Sequence, residues 1–514
     1  MLYKFYKTGV EGKLWRIICK FYENFQCAVR IGQTVSKWFY AKQGVHQGAI
    51  WSMVLFEVAY DGLLQELSES KFGCHIGRLP TASPTYADDV SISGCYKPKV
   101  QQLLDIAYRY SRKWHFNFNA DKSELVIYGP DTYSDKKLKL GPNVIEPSKG
   151  AVHMGVMLSP QNSVVAGYIE DRARVARRNA AAINSLGSRS APIPVPTASK
   201  LYWTIAVPRL TYGLELIDLS GPAIQTLETV HGRVAKTIQG LPRQTANCGC
   251  LAPLGWLSME SFLDYMRMIM FWRILTLPVS CIYKQVMILR LCNHLFGAER
   301  SHCGPVWLAL KTFNKYNLTH HITTSLCTGI FMSVSEMKCI LKSKIKVIEV
   351  ARKVITYHLY KNVFYISECY INAGMWSLWL FTKHAPEYTK RVRVVSRLVF
   401  EETCLRKSTS RYSKDSPLCC VCNGGEVEDT CHLLFECSET ETIRALLWLK
   451  VINEMPPQML THVEMMPLKQ KCVFVLSGLN STFSYEWCKI YKAAIDFIYT
   501  LYQNRRALQT LDTI

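Results

Sequence analysis

Residues 85–92 read TYADDVSI, and the two adjacent carboxylates, Asp88 and Asp89, decide how the chain is interpreted. The flanking residues favour β-strands, so the stretch predicts a hairpin with the acidic pair at its tip. Carboxylates at such a tip suit Mg²⁺, which prefers one or two of them together with substrate phosphates. Two ions held this way can clamp the attacking and leaving oxygens of a phosphoryl transfer. The alternative is an ordinary surface turn, in which Asp is also common.

Two further motifs flank the acidic pair. Upstream, residues 44–56 read GVHQGAIWSMVLF, in which Gly44 and Gly48 allow a close backbone approach to a ligand before a helix begins. Downstream, residues 114–124 read WHFNFNADKSE and place Lys122 on a turn that leads into a strand. This context favours a catalytic acidic pair over a surface turn.

Together these motifs resemble the reverse transcriptase of non-LTR retrotransposons, the long interspersed element type. That family carries a Tyr-x-Asp-Asp hairpin, matched here by residues 86–89. Before the hairpin the family carries a glycine–glutamine block, matched here by Gly44, Gln47, Gly48, Ser52, Leu55 and Phe56. After the hairpin it carries an asparagine–lysine block, matched by Asn119, Lys122 and Ser123. A later Leu-Gly-Val strand is matched only by residues 153–156, and residues 200–213 and 240–255 resemble the helical region that follows the polymerase core.

The resemblance implies an RNA-directed DNA polymerase that uses Mg²⁺, an RNA template, a DNA primer and deoxynucleotides. It implies that Asp88 and Asp89 hold the metal and that Lys122 lies near the departing pyrophosphate, where it can donate a proton. A solvated turn lysine is the alternative for Lys122. The residues implied to form the nucleotide and template pocket are Tyr86, Ala87, Gln47 and Gly48.

One departure bears on activity. The family contributes another metal-binding Asp from a strand upstream of the glycine–glutamine block, whereas this sequence has no Asp before Asp61. We therefore expect an N-terminally truncated copy that does not polymerise by itself, and we keep a catalytically inactive, nucleic-acid-binding relic as the second hypothesis. A group II intron maturase is disfavoured because the sequence shows no maturase-type segment.

A cysteine cluster near the C-terminus predicts a metal site. Cys419, Cys422, His432 and Cys437 offer three thiolates and one imidazole, a set that suits tetrahedral Zn²⁺. Similar knuckles occur near the C-terminus of many such retrotransposon proteins. The alternatives are four buried side chains without metal, or the use of Cys420 or Cys431 as a ligand.

The charge of the chain favours a polyanionic partner. It has 61 Lys and Arg against 40 Asp and Glu, a net charge of +21, and nucleic acid is the favoured partner. Two basic clusters are candidates for tracking phosphates, with solvated helix faces as the alternative. They comprise Arg174, Arg177 and Arg178, and Lys390, Arg391 and Arg393.

The overall pattern predicts the α+β class, with a partial polymerase palm made of an antiparallel sheet and helices, a mostly helical thumb-like region and a small zinc knuckle. The predicted divisions are a palm at 1–160, a thumb-like region at 161–277, a helical connection at 278–410, the knuckle at 411–440 and a helical segment at 441–514.

The 20 cysteines are scattered and no secretory signal opens the chain, so we expect an intracellular ribonucleoprotein with reduced thiols. The apolar residues 363–381 contain Glu368 and Asn372 and favour a buried helix over a membrane span.

Overall fold

The computed structural model describes the chain apart from residues 42–43, 47, 130–136, 187–191, 298–302, 360–364, 366–373, 415, 423, 478–486 and 512–514. The chain divides into two compact units. Unit 1 comprises Met1–His153, Met157–Asn162 and Val279–Arg290. Unit 2 comprises Met154–Val156, Ser163–Pro278 and Leu291–Ile514.

The N-terminal part of the chain, to about residue 160, combines helices with short strand pairs. Its helices are α1 (Leu2–Lys7), α2 (Gly12–Tyr22), α3 (Ser52–Glu69) and α4 (Lys97–Lys113). Its strands are β1 (Gln26–Cys27), β2 (Arg30–Ile31), β3 (Thr34–Val35), β4 (Phe39–Tyr40), β5 (His75–Ile76), β6 (Leu79–Pro80), β7 (Thr85–Tyr86), β8 (Asp89–Val90), β9 (Leu125–Val126), β10 (Leu138–Leu140), β11 (Asn143–Ile145), β12 (Pro147–Ser148), β13 (Ala151–His153) and β14 (Val156–Leu158). Within the described residues each sheet has two strands, in the orders β1-β4, β2-β3, β5-β6, β7-β8, β9-β12, β10-β11 and β13-β14.

The α+β class is confirmed, since helices and small sheets both form. Apolar residues recur at helical spacing within 51–69 and 100–115, which predicts two helices, and α3 and α4 form there. The predicted palm implied an antiparallel sheet, whereas the described residues form separate two-strand pairs, of which β9 and β12 run parallel.

Helices α3 and α4 form the platform on which the acidic hairpin lies. Leu63 and Leu67 lie one turn apart on α3 and are buried against Leu103 and Ile106 of α4. This is the spacing of an amphipathic helix face. The hairpin is therefore held by two helices that bury their apolar faces against each other.

The rest of the chain is almost entirely helical. Its helices are α5 (Asn162–Ser185), α6 (Val195–Leu201), α7 (Val207–Thr211), α8 (Gly221–Gln239), α9 (Asn247–Cys250), α10 (Met259–Leu275), α11 (Ile282–Leu295), α12 (Gly304–Lys315), α13 (Thr319–Thr328), α14 (Val334–Leu359), α15 (Ser377–His384), α16 (Thr389–Val399), α17 (Arg406–Thr409), α18 (Glu441–Asn453), α19 (Pro457–Glu464), α20 (Leu468–Ser477) and α21 (Cys488–Leu511). A π-helical turn at Tyr202–Ala206 joins α6 to α7, and another forms at His432–Glu436.

Unit 2 has one large hydrophobic cluster that joins segments predicted to be separate. Ala173 of α5, Val234 of α8, Leu398 of α16 and Ile498 of α21 all belong to it. Residues of the predicted thumb-like region, connection, knuckle and C-terminal segment therefore share a core. The chain passes between the two units within residues 153–163 and again at 278–279 and 290–291.

No helix among the described residues combines the length and the apolar character that crossing a bilayer requires. The apolar residues 363–381 lie largely outside the described residues, and helix α15 includes only the last five of them.

A buried histidine on α8 links the π-helical turn after α6 to the segment before α10. His231 is fully buried, its Nε2 lies 3.0 Å from the carbonyl oxygen of Leu257, and its Nδ1 lies 3.0 Å from the hydroxyl of Tyr202. A carbonyl can only accept, so Nε2 carries the proton and Nδ1 accepts from Tyr202. Burial lowers the pKa of His231 from 6.5 to about 4.

This burial makes the stability of the protein depend on pH. The unfolded chain binds the proton more tightly than the folded chain, so the stabilisation is complete above the unfolded pKa of 6.5 and is lost as the pH falls towards 4. We expect the free energy of unfolding to fall by about 2 kcal/mol more between about pH 7.5 and pH 5 in the parent chain than in His231→Gln. Urea denaturation measures this difference. His462→Gln, which replaces an exposed histidine of the same unit, should match the parent; equal pH dependence in all three proteins would contradict the prediction.

Candidate catalytic hairpin and candidate metal centre

The acidic pair lies on a two-residue hairpin. Tyr86 pairs with Asp89 across the antiparallel strands β7 and β8, so Ala87 and Asp88 form the turn. Ala87 has φ 52°, a left-handed conformation that costs a non-glycine residue about 1–2 kcal/mol. All four side chains of residues 86–89 are exposed. The turn therefore presents both carboxylates to solvent, at the cost of a strained alanine.

The strand after the acidic pair anchors the hairpin. Val90 and Ile92 pack against the α3–α4 cluster, while the intervening Ser91 lies 3.3 Å, Oγ to Nε2, from His153. This alternation is the two-residue period of a strand. Backbone hydrogen bonds from Ser91 to Pro84 (3.1 Å) and from Ser93 to Ala82 (2.7 Å) extend the hairpin beyond β7 and β8.

The negative charge of Asp88 affects the ionisation of Tyr60, a residue of helix α3. Burial raises the pKa of Tyr60 on α3, and the negative charge of Asp88 raises it further. Phenol ionisation beside a carboxylate is unfavourable, so Tyr60 stays neutral and can pack or donate a hydrogen bond. Among the described residues, no third His, Cys, Asp or Glu joins Asp88 and Asp89 in a metal-binding group.

The glycine-rich loop before α3 is held by a buried serine. The Ser52 hydroxyl donates to the carbonyl of His46 at 2.6 Å and lies 3.3 Å from the hydroxyl of Tyr22. Gly44 and Gly48 have φ of 96° and 90°, which glycine adopts without strain. Gln47, a predicted pocket residue, lies outside the described residues.

An aromatic cavity of about 330 Å³ adjoins this loop. Its lining residues are Tyr22, Phe25, Cys27, Ala41, Gly44, Val45 and His46. The Phe25 and His46 rings meet edge to face, with centroids 5.2 Å apart. Such a cavity can accept a flat, apolar group.

The lysine motif forms a capped turn. The side-chain oxygen of Asn119 accepts hydrogen bonds from the backbone N–H groups of Asp121 (3.1 Å) and Lys122 (3.3 Å). The Ser123 hydroxyl donates to the Asn119 carbonyl at 2.9 Å. The asparagine and serine of the motif thus fix the turn, and Lys122 is left exposed on it.

Four side chains in unit 2 converge as a metal site would require. The ligand atoms of Cys419, Cys422, His432 and Cys437 all lie within 4.8 Å of one another. Tetrahedral Zn²⁺ with Zn–S bonds near 2.3 Å separates its ligand atoms by about 3.8 Å, so the donor set fits this ion. Burial raises the pKa of the Cys419 thiol to about 12, and a bound cation would offset that cost by favouring the thiolate. These are the four residues singled out in the sequence.

The local backbone explains how His432 and Cys437 meet. They are joined by the π-helical turn at His432–Glu436, in which the N–H of Cys437 donates to the carbonyl of His432 at 2.9 Å. The Nε2 of His432 lies 3.5 Å from the Cys422 sulfur, and Nδ1 lies 3.8 Å from a carboxylate oxygen of Glu436. The second distance is too long for a hydrogen bond, so Glu436 is a neighbour of the imidazole that could contribute only through its charge.

The two competing cysteines are engaged elsewhere. Cys420 accepts from the Arg505 guanidinium at 3.6 Å, and Cys431 is buried in the large hydrophobic cluster. Arg505 also pairs with the buried Glu428, donating at 2.8 Å, and thereby joins α21 to the cysteine cluster. Burial opposes charge on the guanidinium, but the hydrogen bonds that it donates to Glu428, and the negative charge of that carboxylate, keep the pKa of Arg505 above its usual value.

Sequence reasoning missed that Glu436 and Arg505 lie beside the cysteine cluster. Glu436 follows His432 by four residues, a helical spacing that could have suggested it as a neighbour of the imidazole. Arg505 gave no local signal, because Glu428 is 77 residues away in sequence.

The predicted basic residues have mixed surroundings. Arg174 pairs with Asp171 at 2.6 Å and Arg177 with Glu170 at 3.1 Å, both near the surface, where such pairs contribute little and can exchange for phosphate. Arg178 and Lys390 are exposed.

The other two arginines of the second cluster contact groups on other helices. Arg391 pairs with Asp496 of α21. Arg393 is half-buried and donates to the carbonyl of Ile238 at the end of α8, at 3.0 Å. Their guanidinium groups are therefore already engaged by the protein.

Residues 4–161 match the model of the reverse transcriptase (RNA-dependent DNA polymerase) family. The match covers the acidic hairpin, the glycine-rich loop and the lysine turn. The match supports a reverse transcriptase domain over this segment.

The cysteine cluster yields a direct test. We expect about one Zn²⁺ per chain by elemental analysis, retained in Cys420→Ser and lost in Cys422→Ser, because only the second removes a converging ligand. Chelation should lower the thermal unfolding temperature of the parent, since metal binding contributes folding free energy. A parent chain that holds no zinc, or loses it equally in both variants, would contradict the assignment.

Proposed function

We propose that this reverse transcriptase domain is of the non-LTR retrotransposon type and that the chain binds an RNA template paired with a DNA primer. Asp88 and Asp89 would hold Mg²⁺ at the primer end. The observation that carries the proposal is the hairpin itself, whose register puts both carboxylates at an exposed tip. Bound Mg²⁺ would neutralise charge as the primer 3′-hydroxyl attacks the α-phosphate of a deoxynucleotide.

The surrounding residues support this assignment. The glycine-rich loop and its aromatic cavity are suited to receive a base, and the loop is fixed by Ser52 rather than by a ligand. The Asn119-capped turn presents Lys122 to solvent, where its amine can approach a leaving pyrophosphate. In such transfers, positioning and charge neutralisation supply most of the rate enhancement.

A second candidate function is nucleic-acid binding without catalysis. It is favoured by the absence, among the described residues, of a third acidic group beside the pair. Phosphoryl-transfer sites with two ions need enough carboxylates to fix both. The net charge of +21 and the exposed Arg178 and Lys390 support binding under either candidate.

The C-terminal cysteine cluster supports the same assignment, as a structural zinc site. Its ligands adjoin the core of unit 2, since Leu433 and Leu434 of the π-helical turn that carries His432 belong to the large cluster. Zinc would therefore stabilise the helical part of the chain as a whole.

Primer extension separates the two candidates. With Mg²⁺ and an RNA template annealed to a DNA primer, we expect the 514-residue chain alone to extend no faster than the Asp88→Asn, Asp89→Asn variant. The reason is that two carboxylates from one hairpin leave the metal site short of ligands.

Binding of the same duplex should be detectable for both proteins. It should weaken by orders of magnitude between about 50 mM and 200 mM salt, because it depends on phosphate contacts. Extension by the parent that the variant lacks would establish the catalytic candidate and refute the expected inactivity. Absence of duplex binding would refute both candidates.

A further inference from the structure

Two cysteines lie side by side at the base of the acidic hairpin. The sulfur of Cys74 is 3.7 Å from the sulfur of Cys95. Cys74 is half-buried and Cys95 is exposed, so an oxidant in solution can reach the pair through Cys95. Neither residue belongs to the acidic tip or to the cluster of zinc ligands.

The backbone holds this pair in register. The Cys74 N–H donates to the Ser93 carbonyl at 3.1 Å, and the Ser93 N–H donates to the Ala82 carbonyl at 2.7 Å. The Thr81 N–H in turn donates to the Cys74 carbonyl at 2.9 Å. The segment before β5 is thus hydrogen-bonded to the strand that leaves the acidic hairpin, and the two sulfurs need to approach by only about 1.7 Å to reach the length of a disulfide.

We propose that Cys74 and Cys95 are a redox modification site, at which a peroxide converts the two thiols into a reversible disulfide.

The chemistry balances as two consecutive steps. The Cys95 thiolate attacks one oxygen of hydrogen peroxide, the O–O bond breaks, and Cys95 becomes a sulfenic acid as hydroxide leaves. The Cys74 thiolate then attacks the Cys95 sulfur, the S–S bond forms, and a second hydroxide leaves. With the two thiol protons the products are one disulfide and two waters. Burial raises the pKa of the Cys74 thiol, which makes the exposed Cys95 the first to react.

The disulfide would close a ring around the acidic hairpin. Strands β5 to β8, with Asp88 and Asp89, all lie between Cys74 and Cys95 in sequence. A cross-link at the base of the ring reduces the conformational freedom of everything within it. Oxidation would therefore restrict the opening of the hairpin while leaving its tip exposed.

Peptide mapping of the full chain tests the site. Trypsin cleavage after Lys71, Arg78 and Lys99 puts Cys74 and Cys95 on two adjacent peptides, 72–78 and 79–99. After treatment of the zinc-loaded protein with hydrogen peroxide under non-denaturing conditions, we expect these peptides to appear joined, with the mass of their sum less two hydrogens. Dithiothreitol should restore the separate peptides.

Single substitutions provide the controls. Cys74→Ser and Cys95→Ser should abolish the joined species, and Cys27→Ser, which removes another half-buried thiol of unit 1, should leave it unchanged. Circular dichroism on each variant checks that it folds. The proposal is overturned if the folded parent gives only sulfinic or sulfonic acid at Cys95, or if Cys95 pairs with other cysteines at the same yield as with Cys74.

Discussion

Two negatively charged residues, Asp88 and Asp89, lie next to each other at the tip of one short hairpin. The packing around the N-terminal site keeps the two carboxylates in this position. Asp88 and Asp89 repel each other by about 1 kcal/mol even in water if their carboxylates lie near 4 Å apart. The strained Ala87 adds to that cost. Val90 and Ile92 offset it by burying apolar surface on α3 and α4. The tip therefore costs stability in the absence of a cation. A cation bound by the two carboxylates would reduce their repulsion.

A different constraint shapes the helical unit, where four ligand atoms must converge from two separate segments. The π-helical turn brings His432 and Cys437 together, while the bridge between Leu418 and Val427 holds the other pair. The buried ion pair of Arg505 with Glu428 then fixes this region to the last helix. Breaking one partner of such a pair leaves an uncompensated buried charge, so the cluster and α21 depend on each other.

The sequence was most informative where function is local. The acidic pair, the glycine-rich loop and the asparagine–lysine turn each depend on contacts within a few residues, so their motifs could be recognised, and α3 and α4 followed from apolar spacing. It was least informative where partners are distant. Arg393 looked like a surface phosphate contact, yet its partner Ile238 lies 155 residues away in sequence. Apart from the acidic hairpin, the pairing of the strands could not be predicted, because strands of two or three residues are too short to show a period.

Metal-directed cleavage of the backbone tests the acidic tip most directly. Fe²⁺ substituted for Mg²⁺ generates hydroxyl radicals in the presence of ascorbate and peroxide, and these cut the chain beside the bound ion. We expect new chain ends near residues 85–90 that are suppressed by excess Mg²⁺ and disappear in the Asp88→Asn, Asp89→Asn variant. Fragments that form elsewhere, or that persist unchanged when both carboxylates are removed, would contradict a metal-binding hairpin.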